Sequence, residues 1–227
     1  MIWDGQNPAH IEQAAQWLAQ GRLLGFPTET VYGLGADAGQ DLAVQAIYDA
    51  KGRPTDHPLI VHMAQASDAA YFADPIPGFA LALMKTHWPG PLTLILPRRV
   101  DVATQSAAGQ DSIGLRCPSH PVALSLLKAA RRLGVMGVAG PSANRFGRVS
   151  PTRAEHVVSE FGDALPVLDG GPCQVGIEST IVDCTRGQPV LLRPGMLDID
   201  HLSSTVGMRI LSPEQAQPVL QAPSPKA

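Results

Sequence analysis

The chain has 227 residues, 44% of them hydrophobic and 16% charged, with a formal net charge of -3. That length and apolar content suffice for one domain with a sizeable core, and the charge balance excludes the overall basic field of a dedicated nucleic-acid binder while leaving room for a local basic groove. Cys117, Cys173 and Cys184 are odd in number and never spaced as CxxC, which argues against a disulfide framework or zinc knuckle and for a reducing compartment.

Met1-Ile2-Trp3-Asp4-Gly5 lacks a basic leader pattern, and no uncharged apolar run reaches the ~20 residues that span a bilayer, so a cytoplasmic protein without membrane association is expected. Asn7-Pro8 caps and begins a helix with Ile11, Ala14, Ala15 and Leu18 on one face and Gly21 as its stop. Residues 23–26 follow as a buried strand. A second helix starts at Asp41, with Leu42, Ala46, Ile47 and Ala50 as its expected inner face, and it delivers Lys51 and Arg53 at its exit as exposed cations. Residues 59–63 and 92–96 read as strands, the latter introduced by Trp88-Pro89-Gly90-Pro91, with weaker helices over 67–72 and 77–87 between them.

Residues 113–116 form the next expected strand, Ser119-His120-Pro121 starts a helix running to about Leu133, and 135–139 returns as a strand. Gly140-Pro141-Ser142-Ala143-Asn144 then leads through Gly147 to a helix with Ser150 at its N-terminus and Thr152 and Glu155 at capping-box spacing. Strands over 166–168, 180–184 and 190–193 complete a domain expected to span 1–211. A Pro- and Gln-rich tail over 212–227 is expected to be loosely draped. Several connections are too short for a crossover helix, so the fold class is α/β with a mixed sheet.

Gly33-x-Gly35 with Gly39 does not have GxGxxG spacing, and no Gly-Lys-Ser/Thr loop occurs. A nucleotide would therefore be held by scattered side chains and a helix N-terminus. Lys51 and Arg53 are candidates, although such a pair is more often a solvated helix exit that complements the dipole. Ser142, Asn144 and Ser150 read equally as turn and cap residues. Arg116 and Arg193, at strand ends, suit a carboxylate or phosphate or are ordinary edge charges. His57 and His62 flank Leu59-Ile60-Val61 and should point to opposite faces, which argues against a shared metal. Glu29, Glu178 and Asp183 are candidate acids, bases or magnesium ligands, or plain strand-end charges. From the residues alone, the pattern reaches an anion-binding cleft.

The motifs Phe26-Pro27-Thr28-Glu29-Thr30-Val31-Tyr32-Gly33-Leu34-Gly35, Lys51-x-Arg53-Pro54, Pro58-Leu59-Ile60-Val61-His62, Trp88-Pro89-Gly90-Pro91-Leu92-Thr93, Pro141-Ser142-Ala143-Asn144 and Glu178-Ser179-Thr180-Ile181-Val182-Asp183 resemble the YrdC-type threonylcarbamoyl-AMP synthases. The resemblance implies a twisted mixed parallel/antiparallel sheet with helices around a concave, cation-lined cavity. It also implies formation of L-threonylcarbamoyladenylate and pyrophosphate from L-threonine, bicarbonate and ATP, for N6-threonylcarbamoyladenosine at tRNA position 37. By the same resemblance Thr30, His62, Arg116 and Thr180 surround threonine, Lys51 and Arg53 carry catalysis, and Lys51, Arg53, His57, Ser112, Ser142, Asn144, Ser150 and Arg193 meet ATP. Mg2+ should arrive with the triphosphate and water rather than in a protein cage. tRNA and the downstream threonylcarbamoyl-transferase proteins are the implied partners.

Longer relatives carry a linker and a further C-terminal domain, which 211–227 does not resemble, and Gly140 stands where many have Ala, which should loosen the loop entering Ser142. Two rival readings are an RNA-binding module, weakened by the net charge of -3 and 5% aromatic content, and a related enzyme acting on another amine.

Overall fold

A computed structural model describes residues 1–216. In chain order the elements are β1 (Ile2–Asp4), α1 (Pro8–Ala19), β2 (Leu24–Phe26), β3 (Gly33–Asp37), α2 (Asp41–Lys51), β4 (Ile60–His62), α3 (Ala69–Phe72), α4 (Gly78–His87), β5 (Leu92–Pro97) and β6 (Ser112–Arg116). Then come α5 (Pro121–Arg132), β7 (Val138–Ala139), α6 (Ala154–Phe161), β8 (Val167–Asp169), β9 (Thr180–Asp183), β10 (Val190–Arg193), α7 (Ile199–Val206) and α8 (Pro213–Ala216). The ten strands form one sheet in the order β1-β8-β2-β3-β7-β4-β6-β5-β9-β10. Strands β1/β8, β2/β8, β4/β6 and β5/β9 pair parallel and the other neighbours antiparallel, so the sheet is mixed as expected.

Helix α1 begins where Asn7 accepts a hydrogen bond from the Ala9 N–H, with Pro8 at the first position, where its missing N–H is not needed. Its face of Ala14, Ala15 and Leu18 packs with Leu126 and Leu127 of α5 over Leu24, Phe26 and Val138. A second, larger apolar layer joins Val44 and Ile47 of α2, Leu83 of α4 and Leu202 of α7 to Leu34, Val61, Leu94 and Leu115 of the sheet. Val138 and its neighbour Ala139 belong to different layers, as alternating residues of a strand must. Each layer removes enough apolar surface from water to fix the sheet between its helices.

Three expectations need correction, and strand β3 was not anticipated. In α2 the buried residues are Ala43, Val44, Ile47, Tyr48 and Lys51, while Leu42 is 88% exposed. The inward stripe is thus displaced by one residue, and it carries Lys51 into the protein. The glycines of 33–35 form strand β3: a Cβ on Gly33 would lie 2.7 Å from Phe26 Cε1 and one on Gly35 3.0 Å from Phe26 Cδ1, so the bare backbone makes room for that ring. Helix α6 begins at Ala154 with Arg153 as cap, and the Thr152 N–H donates instead to His156 Nδ1. The capping box is not formed, and Ser150 lies ahead of the helix. Finally, the boundary at 211 is not a break in structure. Leu211 bridges Val190 in parallel, and α8 follows with Ala216 buried; residues 217–227 of the expected tail lie outside the described residues. β1 and α7 were not expected from the sequence.

Candidate active site

A cavity of about 310 Å³ opens on the sheet. Its floor comes from alternate residues of two parallel strands, Ile60 and His62 of β4 and Ser112, Gly114 and Arg116 of β6, with His62 in register with Arg116. The β2–β3 loop contributes Thr28 and Thr30, the segment after β7 contributes Gly140, Pro141 and Ser142, and Glu178, Ser179 and Arg193 close another side.

Arg116 is only 4% exposed. Its Nη1 donates to Thr30 Oγ1 (2.9 Å) and its Nε to the Gly90 carbonyl (3.3 Å). Nη2 lies 2.6 Å from Glu29 Oε1, an ionic contact whose N–H is not aligned for a hydrogen bond. The Ser119 N–H donates to the other Glu29 oxygen. A buried cation thus has its counter-charge beside it while still facing the cavity. Thr28 Oγ1 donates to the Val31 carbonyl (2.6 Å), so in the Thr28–Thr30 hydroxyl pair the Thr30 hydroxyl donates. With its proton committed and Arg116 on its oxygen, Thr30 can meet a bound molecule only as an acceptor.

His62 is buried, and burial together with the Arg116 charge lowers its pKa to about 3, so the ring is neutral. Its Nδ1 has no partner, and its ring meets Phe26 edge-on at 5.5 Å between centroids. Gly140 keeps this corner open. A Cβ there would lie 2.8 Å from Phe26 Cζ and 3.1 Å from His62 Nδ1, and the Gly140 N–H donates to the Ile60 carbonyl. The residue is fastened there, and a side chain at this position would crowd both rings.

Lys51 departs furthest from expectation: it is 3% exposed, does not line the cavity, and its Nζ donates to the carbonyls of Ser142 and Asn144. It fastens the segment that carries Ser142 to the wall. Burial, then the neighbouring Arg53 charge, lowers its pKa to about 8. The unfolded lysine titrates at 10.5, so between about pH 8 and 10.5 the unfolded chain holds the proton that the folded chain has shed. Lys51 therefore makes the protein more stable as pH rises through that window. Urea denaturation should show the wild type gaining stability relative to Lys51→Met across it, and equal pH slopes for the two would contradict the assignment.

Arg53 does line the cavity, turned out of α2 by Gly52 at φ +62°, with Nε and Nη2 donating to the His57 and Pro58 carbonyls. The remaining expected site residues divide. Ser112, Ser142 and Arg193 line the cavity with Thr30, His62, Arg116 and Arg53. Thr180 does not: its buried hydroxyl accepts from the Leu197 N–H at 3.2 Å. His57 lies outside the lining with its ring tilted against Phe146, and Asn144 spends its amide N–H groups on the Arg145 and Arg148 carbonyls. Ser150 is set back behind Glu178, to whose Oε1 it donates at 3.0 Å. Glu178, weighed in the sequence as an acid, base, magnesium ligand or strand-end charge, lines the cavity, and so does Ser179, which the sequence did not single out. Arg193 Nη1 pairs with Glu178 Oε2, and Arg193 Nη2 donates to Ser179 Oγ at 3.0 Å. The signal available in the sequence was their place directly before the apolar run 180–184, where β9 begins.

None of the three thiols is among the residues lining the cavity. Burial pushes Cys117 and Cys173 up to about 11 and Cys184 up to about 12, far from reactive thiolates. Among the described residues, no group of three or more His, Cys, Asp or Glu is placed to hold a metal ion. The triple variant Cys117→Ala, Cys173→Ala, Cys184→Ala should lose stability through packing but keep its turnover. A folded variant with no turnover would require a thiol mechanism.

Residues 16–195 match the Sua5–YciO–YrdC family, described as "Telomere recombination". The chain belongs to that family. It is 45% identical over 203 residues to a threonylcarbamoyl-AMP synthase of Bacillus subtilis, covering 88% of this chain and 58% of the relative. It is 44% identical over 198 residues to one of Pyrococcus abyssi, covering 87% and 57%. The crystal structure of P. abyssi Sua5 complexed with L-threonine matches with a TM-score of 0.88 and 39% identity, over 100% of this chain and 66% of that one. The chain therefore spans a little over half the length of these curated relatives. Among the described residues no helix is long and apolar enough to cross a membrane.

Proposed function

We propose that the protein is a threonylcarbamoyl-AMP synthase, a nucleotidyltransferase that converts L-threonine, bicarbonate and ATP into L-threonylcarbamoyladenylate and pyrophosphate. The observation that carries the reading is one cavity holding two kinds of anion-binding group: buried Arg116 beside Thr30 and neutral His62, and the more open cations Arg53 and Arg193. Arg116 suits the threonine carboxylate, and Thr30, available only as an acceptor, suits the substrate's hydroxyl or ammonium. Arg53, Arg193, Ser112 and Ser142 suit the phosphates, with Lys51, Asn144 and Ser150 acting by holding the loop that presents them. His57 and Thr180 would join only if their present partners were released.

The chemistry balances. The neutral threonine amine adds to carbon dioxide with release of a proton to solvent, or to bicarbonate with loss of water, giving a carbamate whose oxygen attacks the α-phosphorus. The bond from that phosphorus to the bridging oxygen breaks, and pyrophosphate leaves. The protein's contribution is alignment of two anions and neutralisation of charge on the phosphates. Glu178 is the single carboxylate among the lining residues described, and it is already paired with Arg193. Mg2+ would therefore be held mainly by the triphosphate and water, adding charge neutralisation there. The adenylate would pass to threonylcarbamoyl-transferase proteins acting on adenosine 37 of tRNA, a cytoplasmic task.

Labelled bicarbonate tests the reading. Mass spectrometry should find an adenylate carrying threonine and one labelled carbon. A threonyl adenylate without that carbon would point to plain amino-acid activation and overturn it.

A further inference from the structure

Glu178 holds, with one carboxylate, several of the groups assigned above to phosphate binding and support. Its Oε1 accepts from Ser150 Oγ at 3.0 Å, its Oε2 pairs with Arg193 Nη1, and the rest of that guanidinium is turned onto Ser179 by bonds of 3.0 Å to its carbonyl and its hydroxyl. The same carboxylate lies close enough to Lys51 and Arg53 to favour their charged forms. No other Asp or Glu lines the cavity among the described residues, so a polyphosphate entering beside Arg53 and Arg193 meets one fixed negative charge. That charge can be displaced. The Arg193 and Glu178 side chains are 34% and 36% exposed, and a pair so open to water is held weakly.

We propose that Glu178 is an internal competitor for the polyphosphate site: its carboxylate is the built-in counter-ion of Arg193 and Ser150, gives way when the phosphates bind, and by returning helps expel pyrophosphate. The proposal rests on the phosphate-binding reading of this cavity and adds to it a residue that limits affinity in favour of product release. Pyrophosphate is the chemically simplest probe, because it carries the competing charge without adenine or threonine.

The experiment is calorimetric titration of magnesium-free pyrophosphate into wild type, Glu178→Gln and Glu12→Gln. Gln at 178 keeps the side-chain volume and an acceptor for Ser150. Glu12, paired with Arg132 on an exposed face, makes the same change in net charge away from the cavity. Glu178→Gln should bind about three- to tenfold more tightly, the size expected from removing one weakly held competing charge, while Glu12→Gln matches wild type. Equal affinity in wild type and Glu178→Gln would leave the phosphate site standing and overturn the role of Glu178 alone. Weaker binding by Glu178→Gln would overturn it too, making the carboxylate a support for Arg193. Equal tightening in both variants would assign the effect to net charge. Absence of pyrophosphate binding by every protein would remove the phosphate site and this proposal together.

Discussion

Replacing Arg116 with alanine is expected to cost about 3–5 kcal/mol of folding stability, because it leaves the buried Glu29 carboxylate without its counter-charge. Thr30 loses the Nη1 donor and the Gly90 carbonyl the Nε donor in the same step. Urea denaturation measures the loss, and a change below about 1 kcal/mol would mean that the pair is not buried as described. Arg116→Lys keeps the charge and separates stability from recognition. Lysine cannot reproduce the planar fork that reaches Glu29, Thr30 and the cavity at once, so threonine affinity should fall by at least about tenfold while affinity for a non-hydrolysable ATP analogue changes little. The reverse pattern in calorimetric titration would show that the division of the cavity is inverted.

Lys51 and Arg53 should both matter for turnover but differ in stability. Lys51→Met leaves the Ser142 and Asn144 carbonyls without the buried donor that ties them to α2, at an expected cost of about 1–3 kcal/mol. It should also lower turnover by about ten- to a hundredfold, because the loop carrying Ser142 is no longer fixed. Arg53→Ala removes bonds to two carbonyls at the exposed rim and should change stability by less than about 1 kcal/mol, with a similar loss of turnover from the missing charge-assisted contact. Denaturation midpoints read beside steady-state rates check the contrast. Two variants of equal stability would return Lys51 to the exposed role expected of a helix-exit cation.

The contrast also shows where sequence reading succeeds and fails. Helix α1 was legible because Asn7, Pro8 and Gly21 are local signals whose stereochemistry needs no partner. Arg116 was legible as a strand-end cation, but its burial was not, since Glu29 is brought to it by pairing between distant strands. In α2, alanines blur the period. The spacing Val44, Tyr48, Lys51 describes an inward stripe as well as the one through Leu42, and only the packed protein distinguishes them. β3 was hidden because glycines carry no alternating pattern; the cause is Phe26 on the neighbouring strand, whose ring fills the space their side chains would need. Glu178 read equally as an acid, a base, a magnesium ligand or a strand-end charge because its surroundings are set by Ser150 and Arg193, which meet it only in the fold.

The most direct measurement is pyrophosphate release by the purified protein in ATP, Mg2+ and bicarbonate, with and without L-threonine. Release should depend on threonine, should persist at reduced efficiency with serine, whose missing methyl is worth roughly 1 kcal/mol, and should fall sharply in Arg116→Lys. Release at the same rate without threonine, or none with it, would contradict the assignment of this cavity to threonylcarbamoyl-AMP synthesis.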